Sequence, residues 1–126
     1  AVMRYFDTAA VHHHADEEQN LFPALLEAMA GSDAVCIREL TRTLAAEHRL
    51  LEQHWRALRT ALAAVAAGDA TLLKPALVQD FVALYAGHIA REEAELLPMA
   101  ARLLDAATLD GVGRAMRQRR GVPDPV

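Results

Sequence analysis

Apolar residues recur along this chain at intervals of three and four, which is the period of a helix with one buried face. Helical stretches of this kind are predicted at roughly residues 2–30, 35–67, 75–105 and, more briefly, 109–119. Gly31 and Gly68 interrupt the pattern, and glycine suits the end of a helix. Ser32 or Asp33 would cap the second helix, whereas Pro75 suits the first turn of the third. The pattern therefore predicts an all-α protein whose long helices pack antiparallel to their neighbours.

Composition narrows the class of protein. The chain has 126 residues, enough for one domain with its own core, which we expect over residues 1–120 with an irregular tail at 121–126. Alanine supplies 27 of the residues and aromatics only 5%, a mixture that favours helix over sheet. A net charge of −4 argues against a nucleic-acid surface. No apolar run approaches the ~20 residues that span a bilayer, and the lone Cys36 fits a cytoplasmic protein.

An eleven-residue pattern occurs twice, at residues 13–23 and again at residues 88–98. Both copies read His-x-x-x-Glu-Glu-x-x-Leu-(Phe/Leu)-Pro. A histidine and a glutamate four residues apart project from the same face of a helix. Two such pairs on packed helices could meet as two imidazoles and two carboxylates, a set that suits a pair of iron or manganese ions. The repeat therefore predicts a metal site.

The candidate ligands stand in apolar stripes. His88 and Glu92 interrupt the stripe of the third helix, and His48 interrupts the stripe of the second. Glu52, one turn after His48, is a reserve candidate. A carboxylate in an apolar seam is costly to bury unless it is paired or bound to a cation. Packing alone does not explain this set.

The first helix offers two registers. His13 precedes Glu17 by four residues, and His14 precedes Glu18 by the same interval. Apolar periodicity supports both. The repeat favours His13 with Glu17, because that pairing matches the second copy, and His14 stays the nearest rival. Glu18 and its counterpart Glu93 lie about 100° from the seam, where they would be solvated or would support the ligands.

Two roles are possible for each of three further features: the repeated prolines, Tyr85 and the arginines near the C-terminus. Pro23 and Pro98 end the two copies and would either bend each helix or begin a new helical segment. Tyr85, three residues before His88, would bring a hydroxyl to the site or serve as a core aromatic. The arginines of the last segment favour a solvated helix end over a nucleic-acid contact. They are Arg114, Arg117, Arg119 and Arg120.

These motifs resemble the hemerythrin-like domains, also called HHE cation-binding domains. Both copies of the repeat match that family, as does Glu47-His48 on the intervening helix, and the resemblance spans roughly residues 3–105. It implies a four-helix bundle around a non-haem di-iron centre. The ligands it implies are histidines at the ends of the centre and bridging glutamates: His13, His48 and His88, with Glu17 and Glu92.

One departure from the family concerns its first helix, which usually carries a further histidine ligand. We expect that helix to be absent here, leaving three long helices, a short C-terminal helix and five ligands where about six are usual. An exposed apolar seam would then favour a homodimer.

The resemblance implies a domain that binds oxygen or nitric oxide reversibly, for sensing, storage or protection. Iron is the expected metal, although manganese and zinc accept the same ligands. One alternative is a di-iron protein that repairs oxidatively or nitrosatively damaged iron–sulfur centres. Another is a metal-free interaction module. No spare nucleophile or general acid is evident, so an enzyme ranks below a binding domain.

Overall fold

Four helices make up this computed structural model, which describes residues 1–29 and 34–124. They are α1 (residues 2–28), α2 (Ala34–Ala66), α3 (residues 75–103) and α4 (Ala106–Arg120). The described residues contain no strand, which confirms the all-α prediction, and none of their helices is long and apolar enough to cross a membrane. The predicted helix end at Gly31, the cap at Ser32 or Asp33 and the last two residues of the tail lie outside the described residues.

The three long helices alternate in direction. Residue numbers rise along α1 as they fall along α2, because Phe6 packs 4.9 Å from Trp55 whereas Glu18 contacts His48. Helix α3 shows the same order, from Phe81 beside Trp55 to a contact with His48 further along. Helices α1 and α3 therefore both run antiparallel to α2, and all three contribute to one interior.

Two apolar clusters fill that interior, one towards each end of the long helices. The tryptophan cluster consists of Leu51, Trp55, Leu58 and Phe81. The leucine cluster consists of Phe22, Leu25, Ile37, Leu40, Leu44, Leu96, Ala100 and Leu104. Between them along the chain lie the buried histidines and glutamates of the repeat, so the apolar core is interrupted by a polar layer.

Each copy of the repeat contains one widened, π-helical turn. The N–H of Phe22 donates to the carbonyl of Glu17, and the N–H of Leu97 donates to that of Glu92, five residues back in both cases. The repeated prolines follow directly, at the start of the next α-helical segment. Proline lacks an N–H, and its ring crowds the preceding turn of an α-helix, so a wider turn accommodates it. The prolines thus begin new segments within continuous helices.

Helix α4 lies against α1 and is fastened to it by charge. Arg119 donates to Asp16 at 2.6 Å and to Asn20 at 2.6 Å, and Arg120 donates to both oxygens of Asp16 at 3.0 and 2.6 Å. Only 4% of the Asp16 side chain is exposed. The prediction of a solvated helix end is therefore wrong for Arg119, whereas Arg114 does lie in solvent.

Candidate metal centre

The polar layer brings together four of the five predicted ligands. One nitrogen or carboxylate oxygen from each of Glu17, His48, His88 and Glu92 lies within 4.8 Å of the others. Helix α1 supplies the first of them, α2 the second and α3 the last two. All four are shielded from solvent, since Glu92, the most accessible, exposes 12% of its side chain.

Five atoms in this part of the core are buried without a hydrogen-bond partner. They are Nε2 of His14, His48 and His88, Oε2 of Glu17 and Oε1 of Glu92. Two pairs approach closely, at 3.1 Å between His48 and Glu17 and 2.8 Å between His88 and Glu92, but neither has the alignment of a hydrogen bond. Leaving a buried polar atom unpaired costs about 1–3 kcal/mol. A cation would satisfy lone pairs on such nitrogen and oxygen atoms at once, so the donor set fits a metal.

Carboxylates behind the ligands set their orientation. Nδ1 of His48 lies 2.8 Å from Glu18, and Nδ1 of His88 lies 2.9 Å from Glu47. Because an ionised carboxylate only accepts, each Nδ1 donates to the carboxylate, and Nε2 is the ring nitrogen that faces the interior and could bind a cation. An arginine in turn binds each carboxylate. Sequence reasoning gave Glu18 a supporting role as one of two options and matched Glu47 only as part of a motif. The apolar period does not show that Glu47 faces α3.

His13, the fifth predicted ligand, lies at the edge of the cluster. Its Nε2 is 2.9 Å from Oε1 of Glu17 and 3.6 Å from Oε2 of Glu92, and 49% of its side chain is exposed. Hydrogen bonds to Glu17 and then to Glu92 raise the pKa of His13 to about 10, although burial opposes the shift. His13 therefore carries a proton at neutral pH, which balances part of the negative charge of the two glutamates.

His14 lies deeper than His13. It is 7% exposed, and its ring stacks on that of His48, with centroids 4.0 Å apart and planes 9° apart. Burial, and then the neighbouring histidines, lower the pKa of His14 to about 3. Its Nδ1 lies 3.5 Å from Oε1 of Glu52, so both reserve candidates of the sequence analysis border the site.

An apolar cavity of about 270 Å³ adjoins the polar layer on the side of His14. Its aromatic walls include Phe6, Trp55, Phe81 and Tyr85. Tyr85 packs 5.6 Å from both Phe6 and Phe81, as a core aromatic does. Burial, together with Tyr5 and the two glutamates of the layer, raises its pKa to about 12, so the hydroxyl keeps its proton at neutral pH.

Comparison with known proteins agrees with this geometry. An uncharacterized protein of Haemophilus influenzae is 32% identical to this chain over 123 residues, which cover 98% of the chain and 68% of that relative. A family model described as the hemerythrin HHE cation binding domain matches residues 1–100, which include all of the predicted ligands. Because the match covers most of its length, the chain belongs to the hemerythrin HHE cation-binding domain family.

Proposed function

We propose that this domain holds two iron ions and reversibly binds a diatomic gas, oxygen or nitric oxide, for sensing, storage or protection. The observation that carries the proposal is the set of five buried, unpaired nitrogen and oxygen atoms in one polar layer. Imidazole and carboxylate are the ligands that non-haem iron takes in helical bundles. Membership of a cation-binding family supports the same interpretation.

The carboxylate geometry supports two cation positions. Glu17 directs one oxygen towards His13 at 2.9 Å and the other towards His48 at 3.1 Å. Glu92 directs one oxygen towards His88 at 2.8 Å and the other towards His13 at 3.6 Å. Glu17 and Glu92, whose two oxygens face different histidines, could therefore each hold both ions. His48 and His88 would serve one position, and His13 the other.

The surrounding residues suit a small apolar ligand. Ferrous iron held by these residues would supply the electrons that a diatomic gas draws on when it binds. The chain holds the ligand atoms in a layer from which water is largely excluded, since His48 is fully buried and His88 is 3% exposed. The neighbouring cavity, walled by Phe6, Trp55 and Phe81, offers a mostly apolar space for a gas. Polar side chains also border it, namely His14, Glu52, Arg56 and Tyr85.

Metal content is the first test. Protein loaded anaerobically with ferrous iron is desalted and its iron is measured per chain by plasma mass spectrometry. We expect two irons in the parent and a loss of both in the Glu17→Ala/Glu92→Ala variant. A matched control removes the exposed Glu93 and Glu95, which carry the same charge on α3, and it should load like the parent. A parent that retains no iron would contradict the proposal.

Gas binding is the second test. Exposure of the reduced, iron-loaded protein to oxygen or nitric oxide should produce a visible charge-transfer band that disappears when the gas is removed. The same band should be absent from the Glu17→Ala/Glu92→Ala variant. An irreversible spectral change, or none in a fully loaded protein, would refute reversible gas binding while leaving the metal centre intact.

A further inference from the structure

His14 is a buried histidine that the repeat does not account for. The repeat aligns His13 with His88, so the residue equivalent to His14 is Ile89, which is 41% exposed. His14 is 7% exposed instead. A position that is apolar and accessible in one copy is thus a buried imidazole in the other, next to the polar layer.

The surroundings of His14 match those of the two buried ligand histidines. Its ring lies parallel to that of His48 at 4.0 Å. Its Nδ1 lies 3.5 Å from Glu52, a longer approach than the 2.8 Å hydrogen bond between the Nδ1 of His48 and Glu18. On both rings the Nε2 atom is buried and has no hydrogen-bond partner. The two imidazole rings are therefore parallel, each has a glutamate near its Nδ1, and each has an Nε2 without a hydrogen-bond partner.

A packing role does not explain this arrangement. A leucine or phenylalanine would fill the space beside His48 without burying an unpaired nitrogen, which costs about 1–3 kcal/mol. We propose that His14 is a further ligand of the metal centre, held in orientation by Glu52. This inference rests on the metal centre proposed above and does not depend on which gas the centre binds.

Arg49 links the supports of the two stacked rings. Its guanidinium binds Glu18 and also lies 3.3 Å from Glu52. One arginine on α2 thus fixes the carboxylate behind His48 and the carboxylate behind His14 together. Residues that orient a ligating imidazole affect metal affinity by about 10- to 100-fold, so Glu52 is a positioning residue whose effect is measurable.

The test uses cobalt(II) as the probe on the full chain, with His14→Gln compared with His12→Gln. His12 lies two positions before His14 on α1, about 200° around the helix from it, and therefore faces away from His48. We expect His14→Gln to weaken cobalt binding by at least about tenfold and to change the visible ligand-field spectrum. His12→Gln should match the parent in both measurements.

A second variant keeps the proposal testable if His14→Gln does not fold. Glu52 exposes 36% of its side chain, so Glu52→Gln should fold normally and still weaken cobalt binding by about tenfold. In zinc-loaded protein labelled with ¹⁵N-histidine, the Nε2 signal of His14 should move to the position of a coordinated nitrogen.

Three outcomes would overturn the assignment of His14, and they are distinct. Equal affinity and an unchanged spectrum in His14→Gln would make it a core residue. If zinc does not shift the Nε2 signal, that nitrogen is not a metal ligand and is hydrated from the neighbouring cavity instead. A parent chain that binds neither cobalt nor iron would overturn the metal centre itself, and the ligand role of His14 with it.

Discussion

Removal of the two arginines that fasten α4 should destabilise the protein measurably. In the Arg119→Ala/Arg120→Ala variant, the Asp16 carboxylate loses three hydrogen bonds of 2.6–3.0 Å while only 4% of its side chain is exposed. Breaking a buried ion pair by deleting one partner costs about 3–5 kcal/mol. Two facts lower that figure here. Arg120 is 33% exposed, and α4 can move away so that water reaches the carboxylate. We expect a loss of about 2–4 kcal/mol.

Urea unfolding followed by far-ultraviolet circular dichroism measures this loss. With an m value of about 2 kcal/mol per molar, typical of small proteins, the midpoint should fall by about 1–2 M. The matched control is Arg114→Ala/Arg117→Ala, which removes the same charge from the same helix. Those side chains pair with the exposed Asp124, so the control should lose less than about 1 kcal/mol.

A second readout locates the effect. Amide hydrogen exchange should become faster throughout α4 in Arg119→Ala/Arg120→Ala and stay slow in the centre of α2, because the arginines join α4 to α1 alone. Equal urea midpoints for the variant and its control would refute the reasoning. Apolar contacts, and not the ion cluster around Asp16, would then hold α4 in place.

Three further perturbations test other parts of the structure. The Trp55 indole and then the Arg59 guanidinium hold the pKa of Asp7 below its usual 3.8, so the contact stabilises the fold above that pH and is lost as the pH falls through the lower folded value. Urea midpoints measured from pH 6 to pH 3 should fall more steeply for the parent than for Asp7→Asn. Leu25 is fully buried, so Leu25→Ala should lower the free energy of unfolding by about 2–5 kcal/mol, measured by urea denaturation; a loss below 1 kcal/mol would mean a loosely packed leucine cluster. Chelation of the metal should lower the melting temperature, because a cation at about 100 times its dissociation constant adds about 2.7 kcal/mol. A melting curve that excess metal leaves unmoved would contradict the site.

The sequence predicted the helices well because the signals for their ends are local. Pro75 begins α3 as predicted, and Gly68 follows the end of α2 at Ala66. The repeat located the ligand-bearing turns, since four-residue spacing places a histidine and a glutamate on one face. That spacing explains why His88 and Glu92 lie together, whereas the packing of α1 and α2 against α3 brings Glu17 and His48 to them. The two π-helical turns of the repeat were not predicted, although the proline that follows each of them is recognisable in the sequence.

The contacts between residues of different helices could not be predicted from the sequence. His13 and His14 differ by about 100° around α1, and only the packing of α1 against α2 and α3 decides which of them is buried. The contact between Asp16 and Arg119 joins residues 103 positions apart, and neither residue carries a local signal of it. An arginine near a helix end is usually solvated, so the general rule pointed away from this contact.

The two consecutive glutamates of the first copy have separate tasks, whereas Glu93, the second glutamate of the other copy, is exposed. In the first copy, Glu17 enters the polar layer, whereas Glu18, turned by about 100°, reaches across to Nδ1 of His48 on α2. Glu47 on α2 then does the same for His88 on α3 at 2.9 Å. Helices α1 and α2 thus each orient a ligand of the next helix, so the three helices present these nitrogen atoms together only when all are packed. Metal affinity should accordingly depend on the packing of the whole bundle as well as on the individual ligands.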